Sequence, residues 1–279
     1  MMYRLTYLSG SFKVKGYLAY PDGFHFHAED LKDRLRSHFG TGDLPVTELA
    51  CCIRRETRDI RSHKWPVFIY CRGGIGKVGS VKTDWLEQIS TIGRHLVFAP
   101  CYRGAEGGEG RDEFGGNDRE DVLSAYRFLE SLPFVDANRI TVMGFSRGAV
   151  NAALTAVHMA NVRKLVLWGG VSDLAQTYEE RIDLRRMLKR VVGGTPVRKP
   201  EAFRSRSPLY VADQFKCPVL IMHGTEDVQV DYLHGINMYH KLLENGVNAD
   251  LHRYEGCGHH LPQAVHVHAI QRMFDWINK

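Results

Sequence analysis

One stretch constrains the fold more than any other. Arg139-Ile140-Thr141-Val142-Met143 is a β-rich run, Gly144-Phe145-Ser146-Arg147-Gly148 is a tight Gly-x-Ser-x-Gly turn, and Ala149-Val150-Asn151-Ala152-Ala153-Leu154 is a run of small, helix-compatible residues. A strand that passes straight into a helix through such a turn belongs to a sheet with helices packed on its faces. The central serine takes a strained backbone conformation, and side chains larger than glycine two positions to either side would collide with the turn. The bend aims the Ser146 Oγ out of the sheet. It also sets the Arg147 N–H at a helix N-terminus, where the dipole favours an oxyanion. In a chain with 27 glycines the pattern alone is weak, and its flanks give it weight.

The rest of the chain repeats the same grammar. Short apolar runs alternate with helical patterns: strands at 67–71, 96–99, 139–143, 164–168, 218–222 and about 249–254, and helices near 80–92, 118–131, 146–159, 231–245 and 263–277. Such alternation predicts a mostly parallel central sheet of about eight strands with helices on both faces. Phe12 to Tyr20 alternates and reads as an antiparallel edge strand, stopped by the turn residues Pro21-Asp22-Gly23. Residues 24–64 are charged and weakly periodic; they read as an N-terminal insertion or cap, with Thr47 to Arg58 an edge strand or part of a helix. Residues 172–215 interrupt the alternation with helical, charged sequence where a lid would sit. The whole is expected to be one domain.

A serine nucleophile needs a base, and the base needs an orienting carboxylate. After the strand at 218–222 comes His223-Gly224-Thr225-Glu226-Asp227. Asp227 lies just past a strand C-terminus, where open α/β sheets place their sites, with Glu226 and Asp231 as nearby competitors. The strand ending near Tyr254 leads into Glu255-Gly256-Cys257-Gly258-His259-His260, a flexible loop able to carry an imidazole over the sheet. His259 is favoured over His260. The glycine loop Arg72-Gly73-Gly74-Ile75-Gly76 follows the first central strand, where the Gly74 N–H can serve as a second oxyanion donor. Its spacing fits neither a phosphate loop nor a dinucleotide fingerprint.

Other classes of function find little support. The net charge of +5 is mild and spread out, and the basic run from Arg181 to Arg190 reads as a solvated helix face without a nucleic-acid motif beside it. Of six cysteines, Cys51 and Cys52 are adjacent and no Cys-x-x-Cys pair exists. His266 and His268 cannot share a helix face, so no metal or other cofactor is expected. The N-terminus lacks an apolar signal region, and no apolar run approaches the ~20 residues of a membrane span. A cytoplasmic location with reduced thiols is the default. Oligomeric state is not legible.

Taken together, these residues resemble the prolyl oligopeptidase family of α/β-hydrolases (dienelactone hydrolase-like), in a short form without a β-propeller. The matching stretches are Val67 to Gly74, Tyr102-Arg103-Gly104, Gly115-Gly116-Asn117-Asp118, Asp121-Val122, Gly144 to Gly148, His223 to Asp227 and Gly256 to His259, with Val14 to Leu18 similar to the family's first strand pair. The resemblance implies an α/β-hydrolase fold, a Ser146–His259–Asp227 triad, and oxyanion donors at the N–H groups of Arg147 and Gly74. Arg72 stands where the family usually has His, and Arg147 where a small or aromatic residue is usual. Both could set positive charge at the pocket mouth and favour acidic substrates; the bland alternative is a solvent salt bridge. Without a propeller to filter by size, the expected activity is a carboxylesterase on small molecules. An oligopeptidase or aminoacyl-peptidase is the alternative, and a non-catalytic binding protein on a hydrolase scaffold is the third reading.

Overall fold

The computed structural model describes residues 2–21, 27–49, 64–75 and 78–279. Nine strands form one sheet among these residues. They are β1 (Met2–Ser9), β2 (Phe12–Ala19), β3 (Val46–Leu49), β4 (Trp65–Cys71), β5 (Leu96–Pro100), β6 (Val135–Phe145), β7 (Val162–Trp168), β8 (Val219–Gly224) and β9 (Ala249–Tyr254), in the spatial order β3-β1-β2-β5-β4-β6-β7-β8-β9. From β5 to β9 every pairing is parallel, while β1, β2 and β3 join antiparallel. The parallel strands read as continuous apolar runs because helices cover both faces. The helices are α1 (Ala28–Phe39), α2 (Thr83–Gly93), α3 (Arg119–Glu130), α4 (Gly148–His158), α5 (Leu174–Glu180), α6 (Arg185–Val192), α7 (Pro200–Arg204), α8 (Tyr232–Glu244) and α9 (Gln263–Ile277).

The sequence pattern misplaced the N-terminal strands. Phe12–Ala19 is not at the edge: it lies between β1 and β5, pairing Gly16 with Pro100 and Ala19 with Val97. The edge belongs to β3. Strand β1 went unseen because six of its eight residues are buried, which hides the in-out alternation a half-buried strand would show. From the 24–64 segment, α1 buries Leu31 and Leu35 in the main core and β3 pairs with β1, so this stretch extends the sheet. The expectation for Thr47 to Arg58 holds as an edge strand over Val46–Leu49; from residue 50 onward it lies outside the described residues.

One apolar layer includes Val67, Ile69, Phe98, Phe128 and Val142 on one sheet face, and the other includes Phe68, Met143, Val166, Met273 and Phe274. A third cluster joins Phe114, Val150 and Val171 to Leu174, Tyr178, Leu188 and Phe203 of α5–α7, so the 172–215 segment is anchored by its own small core. Tens of buried aliphatic and aromatic side chains, each worth roughly 1.5–3 kcal/mol, make this frame stiff enough to hold a site on its loops.

Candidate active site

The carboxyl ends of β6, β7, β8 and β9 converge, and the chain places a chemically distinct side chain at three of them. Ser146 follows β6 with φ at 57°, a left-handed conformation that a non-glycine residue adopts only when its surroundings compel it. Compulsion comes from both sides. The Ser146 N–H donates to the Trp168 carbonyl at 2.9 Å, and the Val171 N–H donates to the Ser146 carbonyl at 3.2 Å. A Cβ on Gly144 would lie 2.4 Å from the Ala149 nitrogen, and one on Gly148 would lie 2.0 Å from the Cys71 carbonyl oxygen, so both positions require glycine. The Arg147 N–H stands at the start of α4.

Asp227 lies on the loop after β8. Its Oδ1 accepts from the Gln229 and Val230 N–H groups at 2.9 and 3.0 Å, fixing the carboxylate plane. Its Oδ2 lies 2.6 Å from Nδ1 of His259, which follows β9, and both residues are buried. Burial pushes the Asp227 carboxyl up. The hydrogen bonds from His223 and His259 and the attraction of the His259 ring outweigh it and hold the group below the ordinary carboxylate range. An ionised Asp227 therefore receives the Nδ1 proton of His259, which leaves Nε2 of the neutral ring as an acceptor.

The strand β7 end links this pair to the serine. Trp168 receives the Ser146 N–H, and the next residue, Gly169, has φ at 50° and donates to the Met222 carbonyl. A Cβ on Gly169 would lie 3.3 Å from His259 Nδ1 and 3.4 Å from Asp227 Oδ2. The Phe145 ring, adjacent to Ser146, lies 4.8 Å from the His259 ring. Among the described residues the Ser146 hydroxyl itself has no hydrogen-bond partner. The competing carboxylates are placed elsewhere: Asp231 caps α8 through the Leu233 N–H, and Glu226 is exposed. His260 is exposed, its ring 5.3 Å from that of His259 and 5.5 Å from that of Phe145, while Asp227 pairs with His259. His266 packs on Trp168 while accepting from Trp85 Nε1 at 3.0 Å.

A Cβ on Gly73 would lie 3.0 Å from the Ser146 Cβ and 3.2 Å from the Phe145 ring, so the 72–75 loop abuts the serine. Gly74 sits at φ 68°, with its Cβ direction blocked by the Val78 carbonyl oxygen at 2.1 Å. The loop folds back tightly on itself, as a glycine-rich segment can.

Two expectations need correction. Arg72 and Arg147 lie neither at the pocket mouth nor in a solvent salt bridge: they are 1% and 2% exposed. Arg147 pairs with Asp112 at 2.5 Å and Asp118 at 3.5 Å, and its guanidinium lies over the Tyr102 and Phe114 rings. Arg72 lies 3.9 Å from Asp112 and donates mainly to backbone carbonyls. These charges face inward, and the preference for acidic substrates loses its basis. Sequence reasoning also gave no role to His223. This fully buried ring contacts the Val230 carbonyl at 2.9 Å and Asp227 Oδ2 at 3.3 Å through Nε2. Its position at the last turn of an apolar strand, four residues before the acid, was the available signal.

The sequence profile of the prolyl oligopeptidase family matches residues 102–279. An uncharacterized peptidase of Bacillus subtilis, YtmA, is 41% identical over 211 residues, covering 75% of this chain and 82% of that protein. Dipeptidyl-peptidase 5 of Porphyromonas endodontalis is 25% identical over 78% of this chain but 33% of its own length. Among solved structures, a putative dipeptidyl aminopeptidase IV from Bacteroides ovatus superposes with a TM-score of 0.74 at 21% identity, over 99% of this chain and 36% of that one. An acylaminoacyl peptidase superposes with a TM-score of 0.73 at 18% identity, over 99% of this chain and 41% of that one. This chain thus spans well under half the length of these larger relatives. The relatives are peptidases by name, which gives no support to a small-molecule carboxylesterase and favours the peptidase alternative. With the profile spanning most of its length and the Bacillus peptidase so similar, the chain belongs to the prolyl oligopeptidase family and is a serine hydrolase on the α/β-hydrolase fold.

Proposed function

We propose that this chain is a serine peptidase that cleaves short peptides through an acyl-enzyme, with Ser146, His259 and Asp227 as its triad. The observation that carries the reading is the buried 2.6 Å contact between His259 Nδ1 and Asp227 Oδ2, set against the same strand end that holds the Ser146 backbone. His259 Nε2 takes the Ser146 proton as Oγ attacks the scissile carbonyl. The N–H groups of Arg147 and Gly74 receive the oxyanion, and His259 then gives its proton to the departing amine. Water reverses the sequence on the ester and frees Ser146. Asp227 keeps the proton on Nδ1 and stabilises the imidazolium. Residues 172–215 serve as a lid that excludes water from the acyl-enzyme. A peptide as substrate follows from the named activities of the relatives.

The test pairs labelling with turnover. A fluorophosphonate should label the protein at Ser146, and Ser146→Ala should abolish labelling and lower kcat by several orders of magnitude without unfolding. Aminoacyl- or dipeptidyl-nitroanilides should be turned over with higher kcat/KM than p-nitrophenyl esters, corrected for the esters' intrinsic reactivity. A corrected preference for simple esters would overturn the peptidase reading.

A further inference from the structure

The buried Arg72 has no role in the triad, yet its contacts converge on the loop beside Ser146. Its Nη1 donates to the carbonyls of Gly73 at 3.0 Å, Gly79 at 3.3 Å and Val78 at 3.4 Å. Its Nε and Nη2 donate to the Cys101 carbonyl at 3.2 and 2.9 Å. One guanidinium thus ties Gly73 on one side, and Val78 and Gly79 on the other, to the end of β5. Behind it the Tyr102 ring lies 5.0 Å from the guanidinium, and the Tyr102 hydroxyl donates to the Arg72 carbonyl at 3.2 Å.

Peptide geometry gives these bonds a consequence. In a planar trans peptide the C=O and the N–H point in opposite directions. The Gly73 carbonyl and the Gly74 N–H belong to one such unit. Held by Arg72 at its oxygen, that unit must aim its N–H away from the guanidinium. The Arg72 carbonyl, held by Tyr102, turns the Gly73 N–H away in the same manner. Gly73 abuts the Ser146 Cβ, so the amides freed by this arrangement border the nucleophile. Glycines at 73 and 74 have no side chains to hold the loop, which leaves the arginine as its template.

We propose that Arg72 is a positioning residue that fixes the Gly74 N–H as an oxyanion donor and polarises it through the Gly73 carbonyl. A hydrogen bond from a cation to a peptide oxygen strengthens the donor at the other end of the same unit. This inference rests on the triad reading above, and it assigns the arginine that stands in place of the family's usual histidine.

The experiment compares wild type with Arg72→Met and Arg72→Lys on an aminoacyl-nitroanilide. A peptide aldehyde reports affinity for a tetrahedral adduct, and the matching peptide acid reports affinity without one. Circular dichroism and thermal unfolding establish the folded fraction. For folded Arg72→Met the expected result is a fall in kcat of about 10²-fold, the cost of losing one oxyanion donor, with KM within about threefold of wild type. Aldehyde affinity should fall in step with kcat and peptide-acid affinity should not. Arg72→Lys keeps the charge and most of the volume, reaches fewer carbonyls, and should fall between the two. Unchanged kcat in either folded variant, or a loss carried by KM and peptide-acid affinity, overturns the proposal. If Arg72→Met does not fold, Arg72→Lys decides by the same criteria. A wild-type protein that neither labels at Ser146 nor turns over peptides would sink the triad reading instead, and that result is read before any variant is made.

Discussion

Replacing Asp227 by Asn is the sharpest probe of the triad, because the structure dictates how the new amide must sit. Oδ1 of Asp227 faces two backbone N–H groups, from Gln229 and Val230. The amide oxygen of Asn has to occupy that position, since its NH2 there would confront two donors. The NH2 then takes the place of Oδ2, 2.6 Å from His259 Nδ1. To accept from it, Nδ1 must give up its hydrogen and the ring must carry its proton on Nε2. That nitrogen can no longer take the Ser146 proton. The wrong tautomer in a serine protease lowers kcat by about 10⁴-fold, equivalent to about 5.4 kcal/mol of transition-state stabilisation. His223 adds to the cost, because its Nε2–H, already directed at the Val230 carbonyl, also faces the new NH2 across 3.3 Å. The assay is kcat on an aminoacyl-nitroanilide near pH 8, with thermal unfolding as the control for fold. A folded Asp227→Asn protein that keeps more than about a tenth of wild-type kcat would refute the assignment of Asp227 as the residue that sets the tautomer.

Other outcomes follow from the same contacts. Gly148→Ala would place a methyl 2.0 Å from the Cys71 carbonyl oxygen and 2.6 Å from that of Arg72. Rigid backbone cannot yield cheaply, so stability measured in denaturant should fall by about 3 kcal/mol or more, with activity lost alongside. His95 is buried, its Nδ1 lies 2.6 Å from the Gly93 carbonyl, and burial pushes its pKa down to about 4. The unfolded chain, with a histidine pKa of about 6.5, therefore binds this proton more readily than the folded one. The penalty appears as pH falls through the unfolded value and levels off below the folded value, reaching about 2 kcal/mol by about pH 5. Denaturant titrations of wild type and His95→Gln at neutral and acid pH should show a smaller acid loss in the variant. Equal losses would show that His95 titrates freely in the folded state.

The parts of the molecule legible in the sequence are those that local chemistry decides. Strands β4 to β9 announced themselves because each is buried on both faces or bounded by turn residues, and α9 was read at its true limits because its apolar positions keep helical spacing over fifteen residues. Ser146 was legible because the bend that exposes it tolerates only glycine at 144 and 148, a requirement written within five residues. The approach of Asp227 to His259 followed because a parallel sheet fixes where its strand ends point.

What escaped the sequence depends on partners distant along the chain. Whether Phe12–Ala19 lay at an edge depended on Met2–Ser9 and Leu96–Pro100 closing on its two sides. Whether Arg72 and Arg147 faced solvent depended on Asp112, Asp118, Tyr102 and a set of backbone carbonyls gathered from separate loops. A guanidinium can be buried only where such acceptors surround it, because an unpaired charge costs several kcal/mol to take out of water. Local sequence records the charge but not its neighbours, so the bend at Ser146 could be read from a pentapeptide while the environment of the arginine beside it was decided by the folded chain.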